Sequence, residues 1–186
     1  MLILASQSQR RKDLLNQFGY TFKVMPADID ETMDSNLSAY ENCKRVAELK
    51  ASCIFEENQN DVVLASDTIV TLDNVIYGKP ADKSDAYNML RKFSGNTHEV
   101  VSAVCIMSGT KTHTFYVVSK VTFKDLSDEE IYDYLSTDEP WDKAGSYAIQ
   151  GIAGKFVSKF EGSLNNIIGL PIEECVPYLD ELLGDK

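Results

Sequence analysis

Leu2–Ala5 is a four-residue apolar run that stops at the polar stretch Ser6-Gln7-Ser8-Gln9, and a helical pattern follows at once. So short a run suits a buried strand better than a helix, which needs at least about 10–12 residues. Strand, polar loop, helix is the opening of an α/β unit, and the alternation continues. Residues 38–57 carry a helical pattern and Asp61–Asp73 a β-rich one that reads as a strand or a strand pair. Gly78-Lys79-Pro80 reads as a turn, and 82–93 as a helix closed by Ser94-Gly95-Asn96. His98–Met107 and Thr112–Phe123 then alternate as two strands that turn at Ser108-Gly109. Ser127 and Glu130 open a short helix to Leu135 with a capping-box pattern. Residues 141–170 are Gly-rich and predicted strand-like. Pro171–Leu183 is predicted as a closing helix interrupted at Pro177, where proline removes a hydrogen bond. The expected class is α/β, a mixed twisted sheet with flanking helices.

At 186 residues the chain suits a single domain, 1–186, shaped as two lobes around a central cleft. A net charge of −11 argues against a nucleic-acid partner, which requires a basic face. No apolar run approaches the ~20 residues that cross a bilayer, so no membrane partner is expected. The N-terminus lacks the pattern of a signal peptide, so the expected address is cytoplasmic. Cys43, Cys53, Cys105 and Cys175 form no CxxC pair and the only histidines are His98 and His113, which speaks against a zinc site. Cys43, Cys105 and Cys175 sit in apolar patterns and read as small core residues.

The charge is unevenly spread. Residues 1–24 hold Arg10, Arg11, Lys12 and Lys23 against Asp13 alone, and residues 25–61 run acidic. Ser6 to Lys12 would place free backbone N–H groups and the positive end of a helix dipole together, a setting that binds anions. Ser6 and Ser8 add hydroxyls, and Arg10 and Arg11 add forks suited to phosphate oxygens. Arg11, Leu14, Leu15 and Phe18 follow i, i+3, i+4, i+7, so Arg11 lies on the inward stripe. The competing reading is an N-cap serine followed by solvated basic residues.

Two more residues break apolar patterns. Lys50 falls on the face shared by Cys43, Val46, Ala47 and Ile54, where it either snorkels to water or meets an anion such as phosphate. Asp67 interrupts VVLASDTIV and needs a metal, an arginine or a proton to accept, unless Ser66-Asp67 is a turn between two short strands. Asp28-Ile29-Asp30-Glu31-Thr32 offers further carboxylates, either as a solvated loop or as a partner to Asp67 around Mg²⁺.

The segments LILASQSQRRKDLL, DIDET, LASDTIV, YGKP, FSGNTHEVVSAV, DKAGSYAIQG and GSLNNIIGLP, in this order, resemble the Maf family of nucleotide pyrophosphatases, also called septum-formation proteins, from Leu2 to about Leu183. Ala148-Ile149-Gln150-Gly151 is similar to the dTTP/UTP subgroup. The resemblance implies a Maf/ITPase-like fold and hydrolysis of dTTP and UTP to the monophosphate and pyrophosphate, assisted by a divalent cation, Mg or Mn. It makes Asp67 the proton acceptor and sets Glu31 beside it near the metal, with Asp67 as base, metal ligand or both. It brings Ser6, Arg10, Arg11, Lys50 and Lys79 to the phosphates, with Ser8 beside them, and links Arg10, Thr68 and Gln150 to base specificity. A Gln amide matches the donor and acceptor edge of uracil or thymine. A homodimer is compatible with the resemblance. Where the family reads S-x-S-P-R-R, this chain has Gln9, which gives up the preset φ of proline and adds a donor. Two other readings stand beside this one: a division regulator that binds nucleotide without turnover, and a pyrophosphatase for modified purine triphosphates such as 7-methyl-GTP.

Overall fold

The computed structural model describes residues 1–184. Seven strands among them form one mixed sheet. The strands are β1 (Leu2–Leu4), β2 (Phe22–Val24), β3 (Val62–Leu72), β4 (Val75–Tyr77), β5 (Thr97–Ser108), β6 (Lys111–Phe123) and β7 (Val157–Glu161). The hydrogen-bonded order is β2-β1-β3-β5-β6-β7, with β4 on β3. Six helices accompany it: α1 (Gln9–Gln17), α2 (Ala39–Phe55), α3 (Lys83–Phe93), α4 (Asp128–Leu135), α5 (Leu164–Ile168) and α6 (Ile172–Leu183). The expected α/β class, with a mixed sheet and flanking helices, is what the chain adopts. The chain divides into two compact units, whose boundaries fall inside β3, β5 and β6.

The first unit holds Met1–Thr68, Ser102–Val117 and the segment from Gly169 onward. β1 runs parallel to both neighbours, Leu2 opposite Phe22 on one side and Val62 on the other. A parallel strand with both edges paired is buried throughout, which is why Leu2, Ile3 and Leu4 are all apolar. The Ala5 N–H donates to the Leu64 carbonyl at 2.9 Å, so the ladder extends to the edge of the Ser6 loop. α2 opens with a capping box, Ser38 and Glu41 bonding reciprocally, and buries Cys43, Val46, Ala47, Ala51 and Ile54.

The second unit holds Ile69–Val101 and Val118–Ile168. Its core combines aliphatic residues such as Leu90, Val121 and Ile131 with an aromatic group, Phe93, Phe123, Tyr134, Tyr147 and Phe156, and His98 is buried against Phe93, Phe123 and Tyr147. β3 and β4 form a hairpin, Leu72 opposite Val75, closed by Asp73 and Asn74, both at positive φ. Asp and Asn tolerate that conformation, so a two-residue turn closes tightly. The capping box of Ser127 and Glu130 forms as predicted.

Three expectations are corrected. Ser66-Asp67 is not a turn, because β3 runs unbroken from Val62 to Leu72. Residues 141–170 are mostly not strand. They hold three 3₁₀ turns (Pro140–Asp142, Ala144–Ser146 and Ile152–Phe156), the strand β7 and helix α5. The glycines there serve tight turns rather than strand register: Gly145 takes φ 70° against the Val70 side chain. α6 is not interrupted at Pro177. Pro177 lies on the exposed side, while Ile172, Cys175 and Leu179 anchor the buried side. The segment β2, a three-residue strand with no fully buried position, carried no sequence signal.

Candidate active site

The loop after β1 is built around one hydroxyl. Ser6 Oγ accepts from the Ser8 N–H at 3.2 Å and from Arg11 Nη1 at 3.1 Å. Ser8 takes the N-cap position of α1 but its side chain makes no capping bond, and the first turn carries no acidic residue. The first turn thus adds the positive charges of Arg10 and Arg11 to the positive end of the helix dipole. Gln9 spends its amide on Asp13 at 2.7 Å. Arg10 is half-buried on that same turn.

Arg11 turns inward, as its stripe predicts. Nε donates to the Gly169 carbonyl at 2.8 Å and Nη2 to Thr68 Oγ1 at 2.9 Å. Thr68 Oγ1 also lies 2.9 Å from Ser102 Oγ and 3.3 Å from the Gly169 carbonyl, to which Ser66 Oγ donates at 3.4 Å. All three guanidinium nitrogens are thus engaged within the protein, and the fork is as much a brace for Ser6 and Thr68 as a ligand for phosphate. Burial pulls the Arg11 pKa below its ordinary value, and the negative charge of Asp67 opposes that pull.

A second cluster lies on α2 and β3. Lys50 Nζ stands 3.0 Å from Asp67 Oδ1 and 3.1 Å from Glu31 Oε1. The Lys50 and Asp67 side chains are 13% and 11% exposed, whereas Glu31 is 54% exposed. Glu31 sits in a segment without regular structure that α2 holds in place. The Asn42 side chain accepts from the Asp34 N–H at 2.8 Å and donates to the Asp34 carbonyl at 2.9 Å, and Arg45 Nη2 donates to the Thr32 carbonyl. The acidic loop is therefore tied to the helix that carries Lys50, not simply solvated. The Cys43 thiol donates to the Asp67 carbonyl at 3.4 Å. Burial, and then the Asp67 charge, push that thiol's pKa well up, so it is not a nucleophile.

Among the described residues, no group of three or more His, Cys, Asp or Glu could hold a metal ion. Glu31 and Asp67 already converge on one cation, the ammonium of Lys50. Their oxygen donors fit a hard divalent ion that takes one or two carboxylates and fills its shell with water and phosphate oxygens.

Ser6, Ser8, Arg10, Arg11, Glu31, Lys50, Asp67 and Thr68 all belong to the first unit, and Lys79 and Gln150 to the second. Lys79 is exposed in the turn after β4, and that turn is fixed by the Gly145 N–H donating to the Gly78 carbonyl at 3.0 Å. Gln150 is exposed in the turn before Ile152–Phe156. Glu139 secures this second turn, one carboxylate oxygen accepting from the Ile152 N–H at 2.7 Å and the other from the Ala153 N–H at 3.0 Å.

Comparison with known proteins adds a family. The family model described as Maf-like protein matches residues 1–182. The chain belongs to the Maf family. Among curated relatives of this Maf chain, the dTTP/UTP pyrophosphatase of Caldicellulosiruptor bescii is 46% identical over 97% of this chain and 94% of its own length. The dTTP/UTP pyrophosphatase of Bacillus pumilus is 44% identical over 96% and 95%. Among solved structures, the Staphylococcus aureus Ham1 protein covers 97% of this chain and 98% of its own, with a TM-score of 0.57 and 14% identity, a likeness of fold.

Three residues of the Maf chain that brace candidate residues, Ser102 and Gly169 in the first unit and Glu139 in the second, were missed in the sequence reading. Ser102 is one serine in the strand run VVSAV, and nothing in its spacing singles it out. Gly169 heads the quoted run GLP, and its φ of 134° is a demand that the sequence hints at only by the glycine itself. Glu139 precedes Pro140 in a charged stretch and looks like any solvated acid.

Proposed function

We propose that this chain is a cytoplasmic nucleoside triphosphate pyrophosphatase that hydrolyses dTTP and UTP to the monophosphate and pyrophosphate, with residues 1–186 acting as one catalytic domain. The reading is supported most by Asp67. A carboxylate inside a strand, buried against a lysine that it shares with Glu31, has a chemical reason to be there. A protein that only binds a triphosphate has no need of an acid beside it, where the carboxylate repels the ligand unless a metal intervenes.

The roles follow from the chemistry of each group. Ser6, Ser8 and Arg10, at the positive end of the α1 dipole, meet the phosphate oxygens. Arg11 holds Ser6 and Thr68 in register and adds its charge. Lys50 and Lys79 supply further cations for the triphosphate tail. Asp67 accepts a proton from the attacking water and aims it in line at the α-phosphorus. Glu31 and Asp67 would hold a divalent ion, Mg or Mn. When bound, such an ion neutralises charge on the phosphates. Gln150 presents donor and acceptor atoms to the uracil or thymine edge, with Arg10 and Thr68 contributing to base choice. A homodimer is compatible with this chemistry, which needs no second copy.

The test is a pyrophosphate-release screen of UTP, dTTP and 7-methyl-GTP with Mg²⁺ and Mn²⁺, repeated on Gln150→Ala. The expected result is a preference for the two pyrimidines that the substitution weakens. A preference for 7-methyl-GTP, or one untouched by Gln150→Ala, overturns the substrate assignment.

A further inference from the structure

We infer that the Lys50 ammonium is a place-holder for the divalent ion: it pairs with both Glu31 and Asp67 while no ion is bound and surrenders them when the ion binds. The inference rests on the metal-assisted reading above. Its geometry is the single nitrogen at 3.0 Å from Asp67 Oδ1 and 3.1 Å from Glu31 Oε1. An ammonium carries three donors and no acceptor, and two of the three are spent on these carboxylates. A divalent ion coordinated by the same two oxygens would bring like charges into contact, so ion and ammonium exclude each other there.

The surroundings favour exchange over permanent pairing. Asp67 is only 11% exposed, so a cation in contact with it offsets the cost of burying its charge in either state. Glu31 is 54% exposed, so its side chain has room to turn toward either cation while α2 holds the backbone of its segment. Lys50 carries its charge on a flexible four-carbon stem, able to swing while α2 stays still. Once released, its ammonium needs another anion, and a triphosphate supplies one. Metal and nucleotide would then assist each other's binding, a reciprocal coupling with Lys50 as its physical link.

The test is Mn²⁺ binding to the nucleotide-free protein, followed by the paramagnetic signal of the free ion, in the native chain and in Lys50→Met. The Kd of the variant is expected to fall by about tenfold or more, the scale of one charge-assisted hydrogen bond that no longer has to be broken. Unchanged or weaker Mn²⁺ binding by folded Lys50→Met overturns the inference. Should that variant fail to fold, the native protein answers alone. Reductive methylation of Lys50, read by mass spectrometry against the exposed Lys92, is expected to speed up on adding Mg²⁺, and an unchanged or slower rate overturns the inference. Pyrophosphate release enters neither measurement, so failure of the pyrophosphatase reading is scored separately by the native chain's turnover.

Discussion

Arg11 Nε donates to the Gly169 carbonyl oxygen at 2.8 Å, joining residues 158 positions apart in the chain. Through this contact the start of α1 is fastened to the turn that leads into α6, and the remaining nitrogens of the same fork fix Ser6 and Thr68. A planar guanidinium serves three acceptors at once, and an ammonium cannot copy that arrangement. Arg11→Lys is therefore expected to lower stability by about 1–3 kcal/mol and to reduce kcat along with kcat/KM, because Ser6 and Thr68 lose their register. Urea unfolding and steady-state kinetics check this. Unchanged stability with a raised KM alone would make Arg11 a simple phosphate contact.

Glu139 is the corresponding brace around Gln150. Its two oxygens accept from consecutive N–H groups of the turn that follows Gln150-Gly151. A Cβ on Gly151 would stand 1.8 Å from Glu139 Oε1, so that glycine is what lets the carboxylate in. Glu139→Ala leaves two backbone donors without acceptors and is expected to cost about 1–3 kcal/mol. The more telling readout is selectivity: the ratio of kcat/KM for UTP over CTP should fall, because Gln150 is no longer held. A stability loss with an unchanged ratio would confine Glu139 to folding.

His98 gives the fold a pH dependence. It is buried among Phe93, Phe123 and Tyr147, with Nε2 2.6 Å from the Tyr147 hydroxyl, and burial pulls its pKa down to about 3. In the unfolded chain the value returns to the ordinary 6.5. Between pH 6.5 and 3 the unfolded state therefore binds the extra proton and stability falls with pH, by at most about 1.4 kcal/mol per pH unit. Above that window the contribution is fully present, and below it the loss is complete. Urea unfolding at pH 7 and pH 5 should show the drop, and His98→Phe, which keeps the ring and removes the titration, should flatten it. Equal slopes in both proteins would assign the acid lability elsewhere.

Much of this was legible in the residues because burial leaves a local mark. The run Leu2–Ala5 read as a strand because parallel strands are apolar on both faces, and Arg11 read as inward from its spacing to Leu14 and Leu15. Lys50 and Asp67 stood out as charges in apolar company, but their pairing did not, because contact across 17 residues and two elements leaves no periodic trace. Pro177 misled for a related reason: whether a proline ends a helix depends on which side faces water, and the pattern of one helix does not fix that. The 3₁₀ turns after Pro140 were missed because their hydrogen bonds run between neighbours and need no apolar period.

The central claim is that the buried carboxylate of Asp67 drives turnover of a pyrimidine triphosphate. Pyrophosphate release from UTP and dTTP with Mg²⁺ or Mn²⁺ tests it, comparing the native chain with Asp67→Asn, which keeps the shape and removes the base. The expected result is turnover by the native chain and a loss of about 10²–10⁴-fold in the variant, with nucleotide still bound. No release from either triphosphate by the native chain, or equal rates in the two proteins, would contradict the claim.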